Sequence, residues 1–154
     1  MKKILLVSAF AFLASCTSVQ NTPKQDFNWN GANLYFAVTD RFNNGNPNND
    51  VNFNRTEKAA TLRGFEGGDL RGVIQKIDEG YFNKLGINAI WLTPIVEQIH
   101  GITDEGTGKT HAYHGYWTKD WTALDPNFGT EEDLKELVDK AHKQGIRIVL
   151  DAVI

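Results

Sequence analysis

The stretch "GGDLRGVIQKIDEGYFNKLGINAIWLTPI", Gly67 to Ile95, changes its apolar period once, and that change decides the fold class. Leu70, Val73, Ile74 and Ile77 recur at helical spacing. Asp69 stands where an N-cap carboxylate accepts from first-turn N–H groups, and Gly86 stands where a helix stops. Ile87 to Ile95 is then a near-continuous apolar run, the composition of a strand buried on both faces in a parallel sheet.

Working outward, "ANLYFAVTDRF" (Ala32 to Phe42) is rich in β-branched and aromatic residues and predicts a strand upstream. Downstream, "TEEDLKELVDKAHKQG" predicts an amphipathic helix. Thr130 and Asp133 form its capping box, Leu134, Leu137, Val138 and Ala141 make its apolar stripe, and Gly145 ends it. "IRIVLDAV", from Ile146, predicts a third buried strand. Strand, helix, strand, helix, strand demands a parallel α/β sheet with right-handed crossovers. A doubly wound sheet and a (β/α)8 TIM barrel both begin this way, and three strands complete neither. An apolar strand left as an unpaired edge is a hazard that folded domains avoid. The sequence is therefore expected to be the N-terminal piece of a longer protein, inactive and poorly soluble by itself.

The chain has 154 residues, a net charge of −3 and a single cysteine, which suits one modest domain. Its 16 Lys and Arg are scattered, so no basic track exists to neutralise nucleic-acid phosphates. Residues 1–15 read as an export signal: a basic "MKK", then an apolar run too short to span a bilayer. "LASC", Leu13 to Cys16, resembles the lipobox of bacterial lipoproteins, which makes Cys16 the expected lipidated N-terminus and the membrane a partner. The alternative is an ordinary secretory signal with Cys16 incidental; export is expected either way. Removing Lys2 and Lys3 from the 16 basic residues leaves 14 against 19 acidic. Residues 16–26 are polar and aperiodic, as a flexible tether would be, and residues 27–154 carry the domain.

Parallel α/β folds place their chemistry at the C-terminal ends of strands. The first such end is "TDRFNNGNPNND". Asn44, Asn46, Asn49 and Asp50 supply hard oxygen donors of the kind calcium takes, and "GGD" at Gly67 to Asp69 adds a second carboxylate and a close backbone carbonyl. The spacing is not that of an EF-hand, and by composition alone a plain Asn/Gly/Pro turn serves as well. The second end is a long polar and aromatic loop from Thr93 to about Gly129, carrying "AYHGYW". Tyr113, His114, Tyr116 and Trp117 suit a sugar face beside hydrogen-bonding groups, although Trp117 also suits pinning the loop. His100, His111 and His114 lack the spacing of a zinc site. The third end carries one acid, Asp151.

Together these segments resemble the α-amylase family of glycoside hydrolases, from about Asn33 to Ile154. "LYFAVTDRFNNGNPNND" is similar to the family's first strand and calcium loop, as in cyclodextrin glycosyltransferases and related bacterial amylases. "GFEGGDLRGVIQKIDEGYFNKLGINAIWLTPI" is similar to its first helix and second strand. "AYHGYWTKDW" resembles the loop whose tyrosine stacks on the sugar at the scissile bond, and "GIRIVLDAV" the start of its first conserved region.

The resemblance implies a (β/α)8 barrel of which this is the first part, with three strands and two helices. It implies calcium on Asn44, Asn46, Asn49, Asp50, the Gly67 carbonyl and Asp69. Asn44 stands where those relatives commonly carry Asp, and Asp50 where they can carry Asn. It further implies Tyr116 as the stacking residue, His114 as a contact to the same sugar, and Asp151 as support for the active site. The implied activity is retaining hydrolysis of α-1,4-glucans such as starch or maltodextrin, with the nucleophilic Asp, the acid/base Glu and a stabilising Asp on later strands. A transglycosylase or cyclodextrin-acting relative, and a non-catalytic surface glucan-binding lipoprotein, remain alternatives.

Overall fold

The computed structural model describes residues 26–152. The expected leader, Cys16 and the expected tether up to Gln25 lie outside the described residues. The elements, in chain order, are β1 (Leu34–Ala37), α1 (Thr39–Phe42), α2 (Leu70–Asp78), α3 (Tyr81–Lys84), β2 (Ala89–Leu92), β3 (Val96–Gln98), β4 (Thr103–Asp104), β5 (Lys109–Thr110), β6 (Thr118–Leu124), α4 (Glu131–Lys143) and β7 (Arg147–Leu150). Two single 3-10 turns, Trp29–Gly31 and Pro47–Asn49, flank the first strand and α1.

The three expected strands form one parallel sheet in the order β1-β2-β7. The register is unbroken: Tyr35 pairs with Ile90 and Ile90 with Ile148, while Phe36 pairs with Trp91 and Trp91 with Val149. Because side chains alternate across a strand, this register sorts the faces. Ala37, Ile90 and Leu92 join Val73, Ile74 and Ile77 of α2, Phe82 of α3, and Leu137 and Ala141 of α4 in one core. On the other face Leu34 and Phe36 are 47% and 48% exposed, and Phe36 meets Trp91 edge to face at 4.9 Å. The described residues form no closed barrel; helices cover one face of the three-stranded parallel sheet.

Local chemistry explains the elements. Asp69 caps α2 by accepting from Gly72 N, and the expected stripe Leu70, Val73, Ile74 and Ile77 is wholly buried. Gly72 is required there, since a Cβ would collide with the Asn43 carbonyl. The Thr130–Asp133 capping box is formed at α4, with acids in its first turn and Lys140, His142 and Lys143 in its last, the arrangement the helix dipole favours.

Three expectations need correction. The first strand does not run from Ala32 to Phe42: it ends at Ala37, and Thr39–Phe42 turn into a helix. The helix before Gly86 is two helices, because Gly80 adopts a left-handed φ of 67° and restarts the chain as α3. The segment from Thr93 to Gly129 is not simply loop; β3 pairs antiparallel with β6, and β4 with β5. The β4–β5 pairing is two residues long and the β3–β6 pairing is interrupted by register shifts, so no long alternating pattern marks them.

Leu137 is fully buried between α4 and the sheet. Leu137→Ala should cost about 2–5 kcal/mol in urea denaturation. A loss near zero would mean that α4 does not close this core.

Candidate functional site

The site is built on the ends of β1, β2 and β7. At the end of β1, Asp40 is 2% exposed and accepts from Glu66 N at 3.0 Å and Gly67 N at 3.2 Å. Arg41 adds an ion pair to the same carboxylate. Burial pushes the Asp40 pKa up to about 6, against the opposing pull of the Glu66 N–H, the Arg41 guanidinium and the Gly67 N–H.

The first loop folds back onto α2. Both oxygens of Asp69 are engaged by backbone: Oδ1 accepts from Gly45 N at 3.0 Å and Gly72 N at 2.6 Å, and Oδ2 from Asn46 N at 2.9 Å. Burial raises the Asp69 pKa against those N–H groups. Asn46 spends its side-chain oxygen on Asn48 N. The Asn44 amide donates to both Asp50 oxygens, at 2.9 and 3.0 Å. Gly67, with φ at 89°, lies directly against that pair: a Cβ would sit 2.6 Å from Asp50 Oδ1. Asn49 Oδ1 is buried without a hydrogen-bond partner. The cluster thus offers oxygen atoms of the kind a hard cation takes, the orphan Asn49 Oδ1 beside the half-buried Asp50 and the buried Asp69, with both carboxylates here engaged by N–H groups.

In the second loop Gly115, with φ at 88°, presses on the Pro94 carbonyl, leaving no room for a Cβ. The turn this permits brings the His114 and Tyr116 rings near parallel, 5.8 Å apart, with Trp117 edge-on to His114 at 4.6 Å. His114 Nδ1 accepts from Tyr116 N at 2.9 Å. Burial lowers the His114 pKa and so favours the neutral ring, whose proton then sits on Nε2 because Nδ1 accepts. Tyr116 remains 40% exposed, and its hydroxyl donates to Asp151 Oδ2 at 2.8 Å. Burial and then Asp151 raise the Tyr116 pKa. Trp117 is tied in by its backbone, with its N–H on Gln98 Oε1 and its carbonyl on Ile99 N.

The other histidines go elsewhere. His100 stacks on Phe53 at 3.9 Å and meets Glu97, and His111 Nε2 meets the Glu57 carbonyl at 2.8 Å. The structure thus brings His114, Tyr116 and Asp151 together, and Asn44, Asn49, Asp50, Gly67 and Asp69 into a second cluster.

The sequence reading leaves two features unassigned. One is Asp40 with Arg41, for which an acid and a base directly after an apolar strand were the available signal. The other is a buried ion pair between Arg55 and Asp125, whose side chains are 1% and 0% exposed. Arg55 Nη2 donates to Asp125 Oδ2 at 2.6 Å, and Nη1 donates to Asp125 Oδ1 at 2.8 Å and Asn127 Oδ1 at 2.7 Å. No local pattern marks partners 70 residues apart. A cavity of about 450 Å³ between β6 and the start of α4, lined by Trp121, Leu124 and Leu134 among others, touches none of these groups.

A model of the alpha amylase catalytic domain matches residues 36–154. The chain belongs to the α-amylase family. It is 50% identical over 131 residues to the periplasmic alpha-amylase of Escherichia coli (strain K12), a match covering 82% of this chain and 19% of that protein. It is 40% identical over 136 residues to the cyclomaltodextrin glucanotransferase of Bacillus sp. (strain 1011), covering 88% and 18%. Among solved structures, an Anoxybacillus alpha-amylase superimposes with a TM-score of 0.67 at 38% identity, covering 82% of this chain and 25% of that one. The gamma-CGTase of alkalophilic Bacillus clarkii gives 0.73 at 34% identity, covering 83% and 19%. The chain spans about a fifth of the length of the curated relatives it matches. The α-amylase relatives imply a fold of the (β/α)8 barrel family, and the described residues form three parallel strands with their helices and no closed barrel.

Two outcomes test this site. Arg55→Met leaves Asp125 buried without its cation and should cost about 3–5 kcal/mol, measured by thermal or urea unfolding. With Asp40 raised from an ordinary 3.8 to about 6, the folded chain binds that proton more tightly than the unfolded one. Its stabilising contribution is therefore full below about pH 3.8 and lost as pH rises through about 6. Asp40→Asn should flatten the pH dependence of stability across that window.

Proposed function

We propose that these residues are the first part of the catalytic barrel of an exported glycosidase acting on α-1,4-glucans by a retaining mechanism. The observation that carries this reading is the Tyr116 hydroxyl on Asp151 Oδ2 at 2.8 Å, which joins the loop after β2 to the end of β7. It holds an exposed aromatic face upright beside a neutral imidazole. A glucose ring stacks on the face of Tyr116, while His114 Nε2–H donates to one of its hydroxyls. Asp151 orients Tyr116 by accepting its hydroxyl proton. Retaining chemistry needs two carboxyl groups roughly 5 Å apart across the scissile bond, and we leave those to later strands of the barrel.

Calcium is the cofactor we propose for the first loop, held by Asn49 Oδ1, Asp50, Asn44, Asn46, the Gly67 carbonyl and Asp69. An amide turn at Asn44 would present its oxygen instead of its NH₂. When bound, calcium supplies positive charge that ties this loop to the barrel. The matching of a periplasmic relative supports export of this chain, and "LASC" supports a lipid anchor on Cys16 holding it to a membrane. A transglycosylase or cyclodextrin-acting enzyme is the second reading, favoured by the cyclomaltodextrin glucanotransferases among the relatives.

In the complete polypeptide, Tyr116→Ala should lower kcat/KM for maltoheptaose by about tenfold or more, the scale of losing one aromatic stacking contact. Unchanged turnover would sink the site. Product analysis separates the readings: linear oligosaccharides mark hydrolysis, cyclic ones transglycosylation. Calcium should raise the melting temperature of the parent and much less that of Asp50→Asn; equal shifts would remove the metal from this loop.

A further inference from the structure

We propose that Arg41 is a positioning residue for the candidate glucan platform, holding the Tyr113–Tyr116 segment in place through Tyr113. This rests on the glucan-site reading above and adds to it a residue that acts through another.

Arg41 extends from α1, directly after β1. Its Nη1 donates to Asp40, and its Nη2 donates to the carbonyls of Leu62 and Gly64, each at 2.9 Å. Those bonds use the edge of the guanidinium and leave its flat face free. That face lies 3.7 Å from the centre of the Tyr113 ring. Arg63, between the two accepting carbonyls, takes His111 N on its own carbonyl at 2.9 Å. One side chain thus grips both the backbone from which the loop hangs and the first ring of the loop.

Tyr113 passes the constraint on. Its ring meets His114 edge to face at 5.3 Å, and His114 in turn is near parallel to Tyr116. Behind the loop, Gly115 is already pressed against Pro94. Arg41 and Pro94 therefore confine the segment from two sides. A lysine could keep the ion pair with Asp40, but it has neither the planar face nor the fork that reaches two carbonyls.

The test uses maltoheptaose kinetics and melting temperatures of the complete polypeptide. Arg41→Met and Tyr113→Ala should each lower kcat/KM by about three- to thirtyfold, the range of a cation–π contact, mainly by raising KM. The double variant should lose no more than the worse single one, because both remove the same contact. Tyr113→Phe keeps the ring and should stay near the parent. Arg41→Lys, which keeps the ion pair with Asp40, should melt closer to the parent than Arg41→Met yet lose as much activity, which a merely structural role would not produce. Additive losses, or a Tyr113→Phe as impaired as Tyr113→Ala, would overturn the inference. So would an Arg41→Met that melts earlier with parental kinetics. Tyr116→Ala separates the two ideas: if it is unimpaired, the glucan-site reading itself fails. If it is impaired while Arg41 and Tyr113 are uncoupled, only the positioning role fails.

Discussion

The loops at the ends of the parallel strands, and the turns that lead into α2 and α4, depend on one buried ion pair. Arg55 and Asp125 are removed from water, a costly state unless nearly every donor and acceptor finds a partner. Here the pair is bidentate, and Arg55 Nη2 also reaches the Gln98 carbonyl at 3.0 Å, while Gln98 N and Asn127 N donate to the carboxylate. Only Nε of Arg55 lacks a partner. The geometry that satisfies the charges fixes everything attached to them. Asn127 Nδ2 donates to the Asp50 carbonyl at 2.6 Å, and the Phe128 carbonyl takes Leu70 N at 2.9 Å. The candidate metal loop, the start of α2 and the turn before α4 are thereby referred to one point.

A second buried carboxylate does related work at the sheet. Asp40 is held by N–H groups of Glu66 and Gly67, so the end of β1 carries the backbone that packs against Asn44 and Asp50. Arg41 shares that carboxylate and faces Tyr113. The two clusters, oxygen-rich and aromatic, are thus neighbours through adjacent residues of one short helix. Desolvation is what makes both carboxylates effective: in a low-dielectric setting a charge tolerates few arrangements, and those few define the loops.

Much of the fold was legible because its signals are local. The caps at Asp69 and Thr130–Asp133, the apolar stripes of α2 and α4, and the apolar strands at Ala89–Leu92 and Arg147–Leu150 each lie within a dozen residues. Gly80 escaped notice because a glycine inside a helical pattern is tolerated, and only its left-handed φ reveals the break. The β3–β6 pairing was hidden by bulges that disrupt alternation. The Arg55 network was hidden by separation along the chain.

By itself the sequence determined the helices α2 and α4, the three strands of the parallel sheet though not where the first of them ends, and which loops carry aromatic and oxygen-rich side chains. Those follow from periodicity and capping, which act between near neighbours. Only the tertiary structure decided which loop groups meet: Tyr116 with Asp151, Asp69 with Gly45 and Asn46, and Asn44 with Asp50 against Gly67. Such meetings are settled by which buried polar groups must be satisfied at once, and that condition spans the whole chain.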